Sequence, residues 1–138
     1  MGYTHYWRID KKINKKEIAN VAYDMRLIEQ HLKDVQLGGW DGETKGVQYD
    51  IVKQGNSMNV TGFRFNGYKD KCCETFSLRL GEDGFNFCKT RQKPYDIAVC
   101  MVLLSLKFHA PHVELSSDGY DDDWSEAKKE YENLFQNR

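Results

Sequence analysis

The sequence predicts an α+β domain in which a mainly antiparallel sheet of about five to six strands carries a buried central helix and two further helices. Three observations support this fold class. The chain opens on an alternating segment, its middle holds strand-like segments separated by turn residues, and a later segment is apolar on almost every side. Because 138 residues lie in the usual range of about 100–150 for one domain, we expect residues 1–138 to form a single α+β domain.

The first strand and the first helix are predicted near the N-terminus. Residues 3–9 alternate in the manner of a half-buried strand, with one face made of Tyr3, His5, Trp7 and Ile9. Asn14 followed three residues later by Glu17 is a variant of the capping box and indicates a helix start. Apolar residues keep helical spacing from Ile18 to Leu32, and we expect the helix to be over by residues 38 and 39, which are both glycine.

The middle of the chain predicts an antiparallel meander. A polar loop over residues 38–46 carries Trp40 and precedes four strand candidates, at residues 47–53, 58–65, 74–80 and 85–90. Turn pairs separate them: Gly55 with Asn56, Asn66 with Gly67, and Asp83 with Gly84. Asn-Gly and Asp-Gly are strong hairpin signals, so neighbouring strands are expected to pair in chain order.

The last elements are a buried helix, a short strand and an amphipathic helix. Pro94 is expected to open the second helix, whose residues 97–108 are apolar almost all round, and Pro111 to end it. A strand follows at residues 113–117. The acidic residues 121–123 suit the start of a third helix. One apolar face of that helix consists of Trp124, Ala127, Tyr131, Leu134 and Phe135.

Composition argues against several classes of function. Twenty basic and twenty-one acidic side chains leave a formal charge of -1, so a nucleic-acid partner is not expected. The first residues lack the apolar run of a signal peptide, and the longest apolar stretch, residues 97–106, is far shorter than the roughly 20 residues of a membrane span. We therefore expect a cytoplasmic protein without a membrane partner, and leave open a homo-oligomer.

The cysteines and histidines predict no metal and no cofactor. The four cysteines, at positions 72, 73, 88 and 100, fit no zinc spacing and are expected to be reduced and structural. His109 and His112 lack a clear third ligand, and the acidic residues near position 120 lack the ligand spacing of a calcium loop. An alternative is a nucleophilic pair of Cys88 and His5, which requires that their strands be neighbours.

The N-terminal strand is the first candidate site. Thr4 and Tyr6 would line a pocket as one polar face, with His5 available as a base or donor. The alternative is a half-buried strand whose aromatic side chains pack the core and whose histidine binds a backbone carbonyl.

The junction before the second helix is the second candidate site. Lys89 and Lys93 lie beside a helix start, where backbone N–H groups and positive charge favour an anion. Thr90 adds a hydroxyl and Tyr95 flanks the same start. Asp96 would compete with the anion, so the alternative is a helix capped by Asp96 or Thr90 with solvated lysines.

The turn at residues 116–119 is the third candidate, because Ser116 and Asp118 offer a hydroxyl and a carboxylate at a strand end. The alternative is an ordinary turn or helix entry.

Three segments together resemble a family of small proteins found in bacteriophage genomes and in bacteria. They are residues 2–7 (GYTHYW), the block from Phe87 to Asp96 (FCKT followed by KPYD), and residues 116–119 (SSDG). Residues 65–67 and 74–76 also resemble the family pattern. The resemblance implies a phage or prophage setting and a cytoplasmic location, the host cytoplasm for a phage protein. Because no activity is assigned to the family, the resemblance gives no indication for or against catalysis.

The polar residues of these segments are expected to share one site. Its predicted members are Tyr3, Thr4, His5, Tyr6, Trp7, Glu74, Lys89, Thr90, Lys93, Tyr95, Ser116 and Asp118. The first hypothesis is a protein that binds and sequesters a nucleotide-like or phosphorylated metabolite, in a phage setting a host immune signal. Aromatic rings from Tyr3, Tyr6, Trp7 or Tyr95 would stack on a base, the two lysines would hold a phosphate, and Asp118 or Glu74 would bind ribose hydroxyls.

Two further hypotheses remain open. One is a nucleotide-directed hydrolase or transferase that uses His5 as its general base. The other is an interaction module that inhibits a host factor through the Trp40 loop or through the acidic third helix.

Overall fold

The computed structural model describes residues 2–138 and gives an α+β fold. Its elements are β1 (Thr4–Ile9), α1 (Lys15–His31), β2 (Leu37–Gly38), β3 (Gln48–Gln54), β4 (Ser57–Gly67), a 3₁₀ turn (Lys69–Lys71), β5 (Phe76–Arg79), β6 (Gly84–Lys89), α2 (Asp96–His109), β7 (Glu114–Ser117) and α3 (Asp121–Leu134). The predicted fold class is confirmed. The strand β2 was not predicted, because two residues are too few to show alternation.

The strands form two antiparallel sheets, where the sequence predicted one. A three-stranded sheet has the order β6-β1-β7, so the N-terminal strand is its centre. A second sheet is built around β4, which pairs with β2, β3 and β5. This arrangement places the first and the last strand side by side in one sheet, since β1 pairs directly with β7.

The predicted pairing of β5 with β6 was wrong. Backbone groups in the turn between β5 and β6 form hydrogen bonds with Ile13: Gly81 N–H donates to the carbonyl of Ile13, and Ile13 N–H donates to the carbonyl of Glu82. The turn is therefore tied to the segment after β1, and β6 pairs with β1 instead. The β3–β4 hairpin was predicted correctly, with Gly55 at φ 60° in a two-residue loop between Gln54 and Ser57.

The helix α2 is the buried central element, as its composition predicts. It lies between α1 and α3, and its buried residues are Ala98, Val99, Cys100, Met101, Val102, Leu103, Ser105 and Leu106. It begins at Asp96, two residues later than Pro94, because the Asp96 N–H closes a turn on the Lys93 carbonyl at 2.8 Å. None of the helices within residues 2–138 has the length and apolar character that crossing a bilayer requires.

Candidate functional site

The imidazole of His5 is the centre of a buried polar cluster. The strand β1 lies between β6 and β7, and the His5 side chain is fully buried. Its Nδ1 lies 2.8 Å from Ser117 Oγ on β7, and its Nε2 lies 2.6 Å from Asp96 Oδ1 at the start of α2. One histidine therefore joins the central strand, an edge strand and the buried helix.

The hydrogen bonds around Asp96 determine which ring nitrogen carries the proton in neutral His5. An ionised carboxylate only accepts hydrogen bonds, so Nε2 must donate to Asp96. Nδ1 then has a free lone pair and accepts the hydroxyl proton of Ser117. The Ser117 oxygen in turn accepts Gly119 N–H at 2.9 Å. The result is a continuous chain from a surface turn to the Asp96 carboxylate.

Asp96 also receives donors from Thr90 and Cys100. The Thr90 hydroxyl donates to Oδ1 at 2.5 Å, and the Cys100 thiol lies 3.6 Å from Oδ2 and 3.5 Å from His5 Nε2. Burial, followed by the negative charge of Asp96, raises the pKa of the Cys100 thiol. Cys100 is therefore a neutral thiol, and the carboxylate is held in place from three sides.

Two aromatic rings enclose His5. Tyr3 and Trp124 each meet the imidazole edge-on, with ring centroids 5.1 Å away. Burial and then the charge of Asp96 raise the pKa of Tyr3 to about 12. Within residues 2–138 the buried Tyr3 hydroxyl has no hydrogen-bond partner. It lies against Gly119, where an added Cβ would be 2.2 Å from the Tyr3 oxygen, so this position requires glycine.

A strained turn positions Thr90 and Asp96. Arg91 and Gln92 have φ values of 53° and 56°, and the Lys93 N–H donates to the Thr90 carbonyl at 3.0 Å. These features define a type I′ turn, which normally contains Asn and Gly. Left-handed backbone costs ordinary residues roughly 1–2 kcal/mol each. Strain of this kind is concentrated at functional sites.

An open cleft of about 480 Å³ lies against the Asp96 side of this cluster. It is walled by the end of α1 and the turn after it, by the start of α2, and by α3. Asp96 and Cys100 contribute to its lining, while His5 lies behind them. The volume falls within the range of small-molecule sites, about 300–1,000 Å³. Of the twelve residues predicted to share a pocket, only Lys93 lines this cleft.

The cleft has more acidic than basic side chains in its lining, whereas the sequence predicted a phosphate corner formed by lysines. Five carboxylate side chains line it, those of Asp34, Asp96, Asp123, Glu126 and Glu130, against the two lysines Lys33 and Lys93. At the start of α2, Asp96 N–H donates to the Lys93 carbonyl and Ala98 N–H donates to the Tyr95 carbonyl, so these two N–H groups already have partners. Lys93 lines the cleft and Lys89 does not, so the two lysines of the predicted phosphate corner do not come together there.

Lys89 and Glu74 belong to a different structural unit. Lys89 N–H donates to Glu74 Oε1 at 2.8 Å, and Glu74 N–H donates to the Lys89 carbonyl at 3.0 Å. These bonds secure the end of β6 to the loop before β5. Lys89 does not line the cleft, so it does not join Lys93 there.

Four predicted residues are connected on the outer side of the three-stranded sheet. Asp118 accepts a hydrogen bond from Thr4 N–H at 3.0 Å and another from the Tyr6 hydroxyl at 3.1 Å. Ser116 is exposed and lies opposite Tyr6 in the strand register. The Tyr6 ring stacks on exposed Phe85. This group is a surface network, separate from the cleft.

Trp7 and Tyr95 are core residues, and the stacking role predicted for them is corrected. Trp7 packs its ring against Phe76 with a centroid distance of 5.0 Å. Tyr95 is fully buried and its hydroxyl donates to the Glu74 carbonyl at 2.6 Å. Neither ring presents a face to solvent, so neither can stack on a ligand in this structure.

The strands of Cys88 and His5 are neighbours, as the nucleophilic-pair hypothesis required. The two residues are direct partners in the β1–β6 register. However, the Cys88 thiol donates to the Glu74 carbonyl at 3.4 Å, and burial raises its pKa to about 12. A thiol that is neutral at physiological pH is a poor nucleophile, so the geometry does not support this pair as catalytic.

Sequence reasoning missed the three side chains whose polar atoms lie nearest the ring nitrogens of His5, those of Ser117, Asp96 and Cys100. Local patterns indicate only a competitor or helix cap at Asp96 and a structural thiol at Cys100, and they favour Ser116 over Ser117 as the site residue. Two signals were present. Asp96 and Cys100 are four residues apart and share a helix face, and strand alternation puts Leu115 and Ser117 on the same, inward face of β7.

A second cavity of about 640 Å³ lies between α1 and the β3–β4 hairpin. Its walls are mainly apolar and include exposed Tyr23, Ile51 and Met58. It contains none of the residues that the sequence analysis singled out. We take the first cleft as the candidate site because the buried polar groups of His5, Thr90 and Cys100 converge there on the Asp96 carboxylate, which borders the cleft.

In comparisons with protein-family models, curated proteins and solved structures, nothing matches the chain.

Proposed function

We propose that the protein binds a small polar ligand in the acidic cleft between α1, α2 and α3. The observation that carries this proposal is the placement of Asp96. Its carboxylate is oriented by His5, Thr90 and Cys100, and it also forms part of the cleft wall. A carboxylate held by buried donors is preorganised to accept hydrogen bonds from a ligand.

The charges of the cleft favour a nucleoside-like ligand over a polyphosphate. Carboxylates accept hydrogen bonds from ribose hydroxyls and from base N–H groups. Lys33 and Lys93 supply the positive charge of the cleft lining and suit a single phosphate. Several phosphates would meet repulsion from five acidic side chains. A nucleoside or nucleoside monophosphate therefore fits better than a nucleotide with a long phosphate chain.

The sequestration of a host immune signal is the use that suits such binding in a phage protein. Support for this use comes from the resemblance of the three sequence segments to phage proteins, and the ligand would be held in the cleft proposed above. Sequestration needs affinity and slow release but no nucleophile.

The test begins with native mass spectrometry of the protein purified from expressing cells. A co-purifying small molecule would be identified, released and returned to fresh protein. In parallel, calorimetric titration would compare nucleosides, nucleoside monophosphates and triphosphates. We expect the monophosphate or nucleoside to bind more tightly than the triphosphate.

Matched variants locate the binding site. Lys93→Ala and Glu126→Gln change the cleft lining, and we expect each to weaken binding by about 10- to 100-fold, the value of one charged hydrogen bond. Lys89→Ala and Glu132→Gln carry the same chemical changes outside the cleft and should leave binding unchanged. Absence of any ligand, or equal losses in both pairs of variants, contradicts the proposal.

An enzyme is the second candidate, favoured by the chain Ser117–His5–Asp96. A hydroxyl, an imidazole and a carboxylate in series form a path for a proton. Because His5 is fully buried, the group that meets a substrate in the cleft would be Asp96, with His5 as a relay. The returned ligand would then be recovered cleaved or modified, and Ser117→Ala would slow turnover more than binding.

A protein-interaction role remains the third candidate. Trp40 is 58% exposed on its loop, as a protein contact would require. If the purified protein ignores every small ligand but captures a host protein, and Trp40→Ala abolishes capture while Lys93→Ala does not, this role replaces ligand binding.

A further inference from the structure

We propose that His5, Asp96 and Cys100 bind a divalent transition metal, with zinc as the best match. The three side chains offer an imidazole nitrogen, a carboxylate oxygen and a sulfur, and these atoms lie within 4.8 Å of one another. Nitrogen, oxygen and thiolate ligands are the set that zinc takes in proteins. The sequence predicted no metal because His5 lies more than 90 positions before Asp96 and Cys100 in the chain.

The spacing of the donor atoms matches a tetrahedral site. Zinc bonds of about 2.0–2.3 Å place neighbouring ligand atoms roughly 3.3–3.7 Å apart. Cys100 Sγ lies 3.5 Å from His5 Nε2 and 3.6 Å from Asp96 Oδ2. The remaining contact, 2.6 Å between Nε2 and Oδ1, is a hydrogen bond that the metal would replace. The side chains therefore need only a small rearrangement.

The surroundings supply the supporting contacts that metal ligands usually have. Thr90 donates to Asp96 Oδ1, which leaves Oδ2 for the metal. Ser117 Oγ faces the other nitrogen of His5 and would accept its N–H once Nε2 binds the metal. A ligating histidine commonly donates its second N–H in this way, and loss of such a partner weakens metal binding by about 10- to 100-fold.

The site would be closed on one side and open on the other. His5 is buried beneath Tyr3 and Trp124, whereas Asp96 and Cys100 border the cleft. Three protein ligands with one accessible position are typical of zinc sites that meet a substrate or water. On binding, the Cys100 thiol loses its proton to solvent and the ring hydrogen of His5 moves to Nδ1. One proton is thus released per metal ion.

The experiment is metal loading of the reduced full chain after chelation and dialysis. Zinc content would be measured by elemental analysis. Cobalt substitution would be followed by the thiolate-to-cobalt charge-transfer band in the near ultraviolet. We expect one metal ion per chain and a band that requires Cys100. Cys100→Ala should abolish the band and weaken binding about 100-fold or more, because a direct ligand is lost.

The matched control is Cys88→Ala, since Cys88 is also buried but lies outside the cluster. It should retain the metal and the band. Asp96→Asn, which keeps the shape of the side chain, should weaken binding in a chain whose folding circular dichroism can verify. Ser117→Ala should weaken metal binding by about 10- to 100-fold, because it removes only the hydrogen-bond partner of a ligand. Wild-type protein that takes up no metal, or a band that survives Cys100→Ala, overturns the proposal.

The experiments can disprove the metal site and the ligand-binding proposal independently of each other. Metal uptake is measured without an organic ligand, and ligand titration is repeated in the presence of a chelator. Ligand binding that persists without metal uptake removes only the metal site. Metal uptake without any ligand removes only the proposed function.

Discussion

The Nε2 atom of His5 lies 2.6 Å from Oδ1 of Asp96, although 91 positions separate the two residues in the chain. This bond links the central strand of one sheet to the first residue of the buried helix. It also connects a side chain that solvent does not reach to a carboxylate that borders a cleft. The bond therefore contributes to both the fold and the candidate site.

His5→Ala should destabilise the protein as well as alter its function. The substitution leaves a buried cavity and removes the partner of Ser117 and Asp96, so we expect a loss of about 2–4 kcal/mol in the free energy of unfolding. Urea denaturation would measure it. His31→Ala breaks a partly exposed pair with Glu130, and solvent screening makes its cost much smaller than that of His5→Ala. Equal costs for the two variants would contradict the role of His5 in the core.

Gln92→Gly should stabilise the fold. Glycine adopts the φ of 56° at this position without the strain that glutamine carries, so we expect a gain of about 1 kcal/mol and a rise of roughly 3–5 °C in Tm. Thermal unfolding measures the gain. Asp83→Gly, at an exposed loop position, is the control and should give no gain. A lower Tm for Gln92→Gly would show that the turn is not strained.

Gly119→Ala should destabilise through Tyr3. The new Cβ would meet the Tyr3 oxygen at 2.2 Å, and we expect a cost of about 1–3 kcal/mol from overpacking. Tyr3→Phe removes that oxygen, so the double variant should recover part of the loss. A double-mutant cycle measures the coupling. Additive effects would mean that the two residues do not clash.

Because of Asp24, the free energy of unfolding should decrease at acidic pH. The side chain is 2% exposed and binds Arg138 at 2.6 Å, His109 at 2.9 Å and Ser105 at 2.7 Å. Burial acts to raise its pKa, but the hydrogen bonds from Arg138, Ser105 and His109 outweigh burial and lower it. The folded state thus favours the ionised form.

The direction of the pH effect follows from that lowered pKa. The contribution of Asp24 is fully present above the unfolded pKa of about 3.9 and is lost as pH falls through the lower folded value. Asp24→Asn should cost about 2–3 kcal/mol at pH 7, because the partly exposed Arg138 loses its partner, and should flatten the pH dependence below pH 4. Denaturation at several pH values measures both effects. Asp83→Asn should change neither.

Two of the four thiols should resist alkylation in the folded protein. Cys88 and Cys100 are buried with raised pKa values, whereas Cys72 and Cys73 are partly exposed. Iodoacetamide should modify Cys72 and Cys73 first in the folded protein and all four thiols after denaturation, and peptide mass spectrometry would identify the labelled residues. Rapid labelling of Cys88 in native protein would restore the Cys88–His5 nucleophile hypothesis.

The sequence predicted the positions of the strands and helices better than it predicted which strands pair with each other. Alternation placed His5 and Trp7 on the inward face of β1, and composition identified α2 as the buried helix. Both signals are local. The Asp83–Gly84 turn signal was equally local, yet β6 pairs with β1, because the backbone groups of that turn bind Ile13. Pairing depends on which hydrogen-bond partners are free, and those lie elsewhere in the chain.

By itself, the sequence determined the α+β class, the β3–β4 hairpin and the segments that carry polar residues of interest. Only the tertiary structure decided how those residues group. It brought Ser117, Asp96 and Cys100 to His5, left Lys89 outside the cleft, and put Trp7 and Tyr95 in the core. The physical reason is the distance in sequence over which each kind of interaction acts. Periodicity and turn chemistry act over a few residues, whereas a site forms where strands and helices distant in sequence meet.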